Sequence, residues 1–254
     1  MNKDYGIEYN IGFPNPFPGF IEFCGTGMKN RFVFLGMMSY GNTNTIFIDK
    51  NGMTKKQNTF KNVYAISETI EGIMYYFCMN PLRIVVDHGN RYDEIPLPED
   101  KRKYYPISLN VFGDQIITTL YPARMVVFSQ KDYQKKLDLD LTILKIKYPL
   151  YAEPYCQNSF LITDSKNNMV HIVDSNLNIL WEYGKRDAHG IDEGLLFAPQ
   201  RATSIQDDKF LISLRRGHCI LIVNKDKHVE QTFGIPFSVG GDGTILRAIG
   251  KYIN

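Results

Sequence analysis

Short apolar runs alternate with polar turns along this chain, and nowhere do they settle into a helical period. One recurring element is an apolar strand just after a turn: RFVFL from Arg31, GIMYYF from Gly72, DQIITTL from Asp114, SFLITD from Ser159, KFLISL from Lys209 and GTILRAI from Gly243. These starts lie 41, 42, 45, 50 and 34 residues apart. A second element follows each of the first five: TIFIDKNG from Thr45, RIVVDHGN from Arg83, RMVVFSQKD from Arg124, MVHIVDSN from Met169 and CILIVNKD from Cys219. Its steps are 38, 41, 45 and 50 residues, so two independent landmarks drift together, which is the signature of an internal repeat.

Each unit parses as four strands. An inner strand such as QRATSI from Gln200 passes through a polar turn into the second strand, a short connection leads to the third, and an Asp/Asn/Gly/Lys turn leads to the fourth. Such residues accept tight or left-handed backbone and mark hairpins. A period of about 42 residues with four strands is that of a propeller blade, and 254 residues accommodate roughly six. We therefore expect an all-β, six-bladed propeller of four-stranded antiparallel blades in a single domain, 1–254. The expected blades run approximately 18–62, 63–103, 104–146, 147–194, 195–234, and 235–254 joined by 1–12. The segment from Tyr5 to Gly12 resembles the outer strand ILWEYG at Ile179 to Gly184, so the amino-terminal strand is expected to close the ring, removing an exposed sheet edge.

Composition narrows the function classes. With 29 basic and 27 acidic residues and a net charge of +2, the chain lacks the footprint of a nucleic-acid binder. No window approaches a membrane-spanning apolar run, and MNKDYGIEYN has no apolar signal core; we expect a soluble, cytoplasmic protein. Cys24, Cys78, Cys156 and Cys219 have no metal-ligand spacing and read as buried reduced thiols.

The stretch from Ser159 to Ile205 carries an ordered run of strand, Asp164, Asn168, Val173-Asp174, then Trp181-Glu182-Tyr183-Gly184 and a Gly-rich loop ending near a Pro. This run resembles an NHL-type propeller repeat. The likeness extends to QTFG at Gln231 to Gly234. In the amino-terminal half the position of Asp164 becomes Gly36, Cys78 or Thr119. Families with this fold include lactonases, lyases and pure binding modules, so the resemblance leaves the function open.

Propeller ligands sit over the central channel, on the face built by inter-blade connections and second-to-third-strand turns. Glu22, Glu68 and Glu153, with Asn110, lie on inner strands and offer oxygen ligands of the kind Ca²⁺ or Mg²⁺ takes, an arrangement similar to metal-dependent lactonase propellers. No cofactor is expected otherwise; the competing reading is a wet channel whose carboxylates pair with Arg201. Arg83, Arg124, Arg215 and Arg216 coincide in repeat position near the third strand and would form a cationic rim able to clamp a carboxylate or phosphate, or else bridge adjacent blades. Tyr40 and Tyr121 occupy the same rim. His189, in the long connection from Gly184 to Gly194, and His218 are candidate acid/base residues. Trp181 is expected to pack between blades, and His88 and His228 to lie on the surface in outer turns.

Two functions follow. One is a recognition module binding a small anion or a protein partner over the channel. The other is a small-molecule lyase, hydrolase or isomerase with a histidine acid/base and an arginine clamp.

Overall fold

A computed structural model describes residues 60–97 and 104–234, apart from 70 and 206–207, together with four strands between 21 and 57. The described residues form five four-stranded antiparallel sheets. The first holds β1 (Ile21–Phe23), β2 (Arg31–Met37), β3 (Thr43–Asp49) and β4 (Gly52–Gln57). The second holds β5 (Val63–Glu68), β6 (Met74–Cys78), β7 (Arg83–Asp87) and β8 (Tyr92–Pro96). The third holds β9 (Tyr105–Phe112), β10 (Gln115–Tyr121), β11 (Arg124–Ser129) and β12 (Lys135–Asp140), followed by a 3-10 turn at Leu141–Leu144. The fourth holds β13 (Pro149–Pro154), β14 (Ser159–Asp164), β15 (Met169–Asp174) and β16 (Ile179–Gly184). The fifth holds β17 (Pro199–Ile205), β18 (Lys209–Leu214), β19 (Cys219–Asn224) and β20 (Val229–Phe233). The expected sixth unit and its closing strand fall on 235–254 and 1–12, outside the described residues.

Every sheet is a simple meander in chain order; the first strands of the second to fifth sheets approach one another in succession, and β2 of the first sheet approaches β5. Sheets so arranged bury both faces against their neighbours. That is why the middle strands β6 (MYYFC) and β14 (SFLITD) are buried at every position, while the outer strands β12 and β20 are largely open. Separate apolar layers fill the gaps. Tyr75, Phe77 and Val86 meet Leu109, Ile116 and Phe128 between the second and third sheets. Met125 and Val127 meet Ile162 and Val173 between the third and fourth. Val170, Ile172 and Trp181 meet Phe210, Ile212 and Leu221 between the fourth and fifth. Trp181 packs there as expected, its ring 4.4 Å from that of Phe210 and its Nε1 donating to the Lys225 carbonyl at 2.8 Å.

Inner strands share a bulge, at Val63/Ala65, Pro149/Tyr151 and Pro199/Arg201, with the matching shift at Thr119/Leu120 in the third sheet. Second-to-third-strand pairing corrects one sequence alignment. Pairing sets Asp164 opposite Met169, Cys78 opposite Arg83, Leu120 opposite Arg124 and Met37 opposite Thr43, so Leu120 and Met37, rather than Thr119 and Gly36, stand where Asp164 does. An apolar run does not mark which of its residues faces which across a hairpin, so counting from the start of each run slips by one residue.

Two further expectations change. Cys78 and Cys219 are buried thiols, but Cys156 is exposed at the β13–β14 turn. His228 is exposed, whereas His88 is half-buried, its Nε2 2.9 Å from Asp93 Oδ2 and 3.2 Å from the Tyr133 hydroxyl across the second and third sheets. Among the described residues no helix is long and apolar enough to cross a membrane.

Candidate functional site

Antiparallel strands alternate direction, so the turn between second and third strands emerges at the same end of a blade as the connection leaving its fourth strand. On this connection face a backbone bond recurs: the first residue of the turn donates to the residue just before the inner strand. Met79 donates to Asn62, Ser165 to Tyr148 and Arg215 to Ala198, at 3.0, 3.2 and 3.0 Å. Turn and connection are thereby held side by side in the second, fourth and fifth sheets.

The fourth blade adds side-chain clamps. Asp164 is fully buried; its Oδ1 accepts from the Tyr148 amide at 3.0 Å, and its Oδ2 from the Lys147 amide at 3.0 Å and Asn167 Nδ2 at 2.6 Å. Asn167 Nδ2 also donates to the Lys145 carbonyl at 2.8 Å. Asn168 grips the other side, accepting from the Ala198 amide at 2.9 Å and donating to the Ala188 carbonyl at 3.1 Å. The Asp164 and Asn168 positions that carried the sequence resemblance are therefore clamps that fix the preceding and following connections. Gly184 opens the longer one at φ +103, and a Cβ there would collide with the Asn168 carbonyl, so glycine alone fits.

Between the fourth and fifth blades these clamps frame a cavity of about 430 Å³. The β14–β15 turn contributes Ser165, Lys166 and Asn168; the connection contributes His189, Phe197 and Ala198; β17 contributes Gln200; and the β18–β19 turn contributes Arg215 and Arg216. The lining carries three basic side chains and no carboxylate. Among the described residues none of Lys166, Arg215 and Arg216 has an ion-pair partner. The His189 ring stacks on Phe197 at 4.5 Å and 27°, and the Arg216 guanidinium lies 5.7 Å from the same ring.

The four arginines aligned by sequence thus divide into two pairs. Arg215 and Arg216 line the cavity. Arg83 meets Glu94 at 3.2 Å, and Arg124 forms a two-pronged pair with Asp138 at 2.7 and 2.8 Å while lying over the Tyr104 ring at 4.7 Å. Both of those pairs close within a single sheet rather than between blades. Burial pushes the Asp138 carboxyl up, but hydrogen bonds from Arg124 and Lys135 prevail and hold it below its ordinary value.

The inner-strand candidates serve as ties. Glu153, 3% exposed, accepts from the Tyr151 hydroxyl at 3.1 Å, from Thr203 Oγ1 at 2.7 Å and from the Ser204 amide at 2.7 Å, joining β13 to β17. Burial raises the Tyr151 phenol well above its ordinary value, which keeps it a donor. Arg201 lies across the Tyr151 ring at 4.3 Å, and its Nε has no hydrogen-bond partner. Asn110 Nδ2 donates to the Ala152 carbonyl at 3.2 Å, and Glu68 is buried. Among the described residues no three His, Cys, Asp or Glu side chains gather closely enough for a metal ion. Tyr40 and the Glu22 side chain lie outside the described residues. Tyr121 is exposed, its ring 5.9 Å from Tyr148.

The two candidate acid/base histidines are not brought together as cavity residues. His189 is exposed in the lining; His218, half-buried, occupies a left-handed turn position at φ 55, as Asn168 does at φ 57, and does not line the cavity. Sequence reasoning missed His171. It is fully buried on β15, neither ring nitrogen has a hydrogen-bond partner, and Glu182 Oε2 stands 3.6 Å from Nδ1. Burial holds its pKa below 6.5; Asp164 and Glu182 oppose that effect and Arg186 assists it. The unfolded chain therefore takes up a proton that the folded protein resists, so stability present above pH 6.5 declines as pH falls through the depressed folded value. Urea midpoints measured between about pH 7.5 and about pH 5 are expected to fall less steeply for His171→Leu than for the parent; equal slopes would remove His171 from the acid response.

No protein-family model matches this chain, and no curated protein matches it. Solved structures do. Virginiamycin B lyase from Staphylococcus aureus is 17% identical, with 84% of this chain and 70% of that one covered at a TM-score of 0.56. The WD40 β-propeller domain of Doa1 is 10% identical, with 84% and 68% covered at 0.56. A protein of unknown function from Bacteroides thetaiotaomicron is 15% identical, with 94% and 64% covered at 0.63. At such identities the fold is what is shared, and it is a β-propeller.

Proposed function

We propose that this chain is a six-bladed recognition propeller that binds a small anion in the cavity between its fourth and fifth blades. The six-blade count rests on the sequence period, with 235–254 and 1–12 supplying the last blade. The anion reading rests chiefly on Lys166, Arg215 and Arg216 lining one cavity that contains no carboxylate. Two guanidinium groups and an ammonium suit a phosphate or a polycarboxylate, and the clamped connections fix their backbones in advance. An NHL-type ancestry agrees with the Asp164 and Asn168 pattern.

The test is a titration with inorganic phosphate and with citrate, followed by calorimetry and by thermal shift. Saturation is expected to raise the melting midpoint, by about 2.7 kcal/mol of stabilisation at a hundredfold excess over Kd. Arg215→Ala and Arg216→Ala are each expected to weaken binding about tenfold, and added NaCl should weaken it further. An unchanged Kd in the variant lacking both arginines and Lys166 would refute the reading.

A catalytic reading has one specific support, namely that His189 lines the same cavity and a lyase is among the structural relatives. It requires that His189→Ala abolish turnover of an anionic substrate while leaving phosphate affinity within about twofold of the parent.

A further inference from the structure

We propose that the connection face of the third to fifth blades forms a cationic and aromatic strip that receives an acidic peptide segment bearing apolar side chains. The inference rests on the anion-binding reading and extends it from the cavity to the surface beside it.

The strip is assembled by the fourth blade. Asp164 and Asn167 hold residues 145–148 through the Lys145 carbonyl and the Lys147 and Tyr148 amides, so this segment sits directly against the turn that bears Lys166. Lys145 and Lys147 are exposed and, like Lys166, Arg215 and Arg216, have no ion-pair partner among the described residues. Where Arg83 and Arg124 emerge on the same face, their own sheets neutralise them with Glu94 and Asp138. The unpaired charge over the fourth and fifth blades is therefore positive on balance, these five cations standing against the exposed Asp187 and Asp192 of the long connection. Asp164 does not offset it outward, because its oxygens are buried and already bonded to Lys147, Tyr148 and Asn167.

Next to these cations the third blade presents apolar surface. Tyr121 is 40% exposed and directly opposite Tyr105, itself exposed, across β9 and β10; the Tyr121 ring leans on Tyr148 at 48°. An extended ligand running from Tyr121 over Tyr148 and Lys147 to Lys166 and Arg215 meets an apolar patch and then a series of positive charges.

Ring geometry favours a peptide over a single-stranded nucleic acid. Bases bind such surfaces by stacking on open aromatic faces. Here Tyr121 and Tyr148 pack against each other, and Phe197 is flanked by His189 and Arg216. Aliphatic and phenyl side chains need only apolar area, and glutamates or aspartates need only the cations.

The experiment uses the full chain and a fluorescein-labelled peptide of about ten residues, an extended span of roughly 33 Å, composed of Glu with two Phe. Its neutral Gln counterpart, inorganic phosphate and an oligouridine of equal charge serve as comparators. The acidic peptide is expected to bind at least tenfold more tightly than phosphate and than the neutral peptide, with an affinity that falls as salt rises. The double variant Lys145→Gln, Lys147→Gln is expected to weaken the peptide about fivefold and leave phosphate affinity unchanged, since neither residue lines the cavity. An unaltered peptide affinity in that variant overturns the strip, as does tighter binding of the oligouridine. If phosphate binds and depends on Arg215 while the peptide gains nothing over it, the strip is wrong and the cavity reading stands. If neither ligand binds, both fall.

Discussion

Replacing Asp164 with alanine is expected to cost about 3–5 kcal/mol of folding stability. The carboxylate is inaccessible to water and receives three hydrogen bonds, two of them from backbone amides of the connection that enters the fourth blade. Its removal leaves the Lys147 and Tyr148 amides without an acceptor and breaks the turn's grip on residues 145–148. Asp164→Asn keeps the shape but turns an NH₂ group towards a donor, and is expected to cost about 1–2 kcal/mol. Urea denaturation measures both. Hydrogen exchange should locate the loss, with the 147 and 148 amides losing protection in Asp164→Asn under conditions where the sheets remain folded. A cost below about 1 kcal/mol for the alanine variant would show that this clamp does not hold the connection.

Glu153→Ala should be comparably damaging, at about 3–4 kcal/mol, for a related reason. Thr203 and Ser204 of β17 and Tyr151 of β13 all direct donors at this one buried carboxylate, so truncation strands three groups between two inner strands and opens a void. Glu153→Gln retains an acceptor and should recover a good part of the loss. Glu153 is absent from the cavity lining, so the folded Glu153→Gln protein should retain the parent's phosphate affinity. Arg215→Ala shows the opposite pattern, with affinity lost and stability kept, because its side chain is exposed and unpaired among the described residues. If Glu153→Gln weakens phosphate as much as Arg215→Ala does, then the inner strands and the cavity are one coupled unit.

Much of the architecture was legible because a blade is buried on both faces. Runs such as SFLITD and MVHIVD carry no polar alternation, and Asn/Asp/Gly turns separate them at a nearly constant period. The strand meander and the place of Trp181 follow from that pattern. Cross-strand register was not legible to the residue: counting from the polar turn at Asp114 puts Thr119 where hairpin pairing puts Leu120, and the inner-strand bulge carries no compositional mark either. His171 was invisible for another reason. MVHIVD reads the same whether its histidine faces water or a neighbouring sheet.

The sequence by itself determined a repeated four-stranded unit, the positions of its turns, and the recurrence of cations in or beside the second-to-third-strand turns. Only the tertiary structure decided which cations remain available, because Glu94 and Asp138 lie on outer strands that return beside Arg83 and Arg124, while no described acid returns beside Lys166, Arg215 or Arg216. Strand periodicity is a local property of the chain. Charge neutralisation depends on strand register: Arg83 and Arg124 meet Glu94 and Asp138 because the β7–β8 and β11–β12 pairings bring each acid diagonally across from its arginine, and that register is set only when the sheets form.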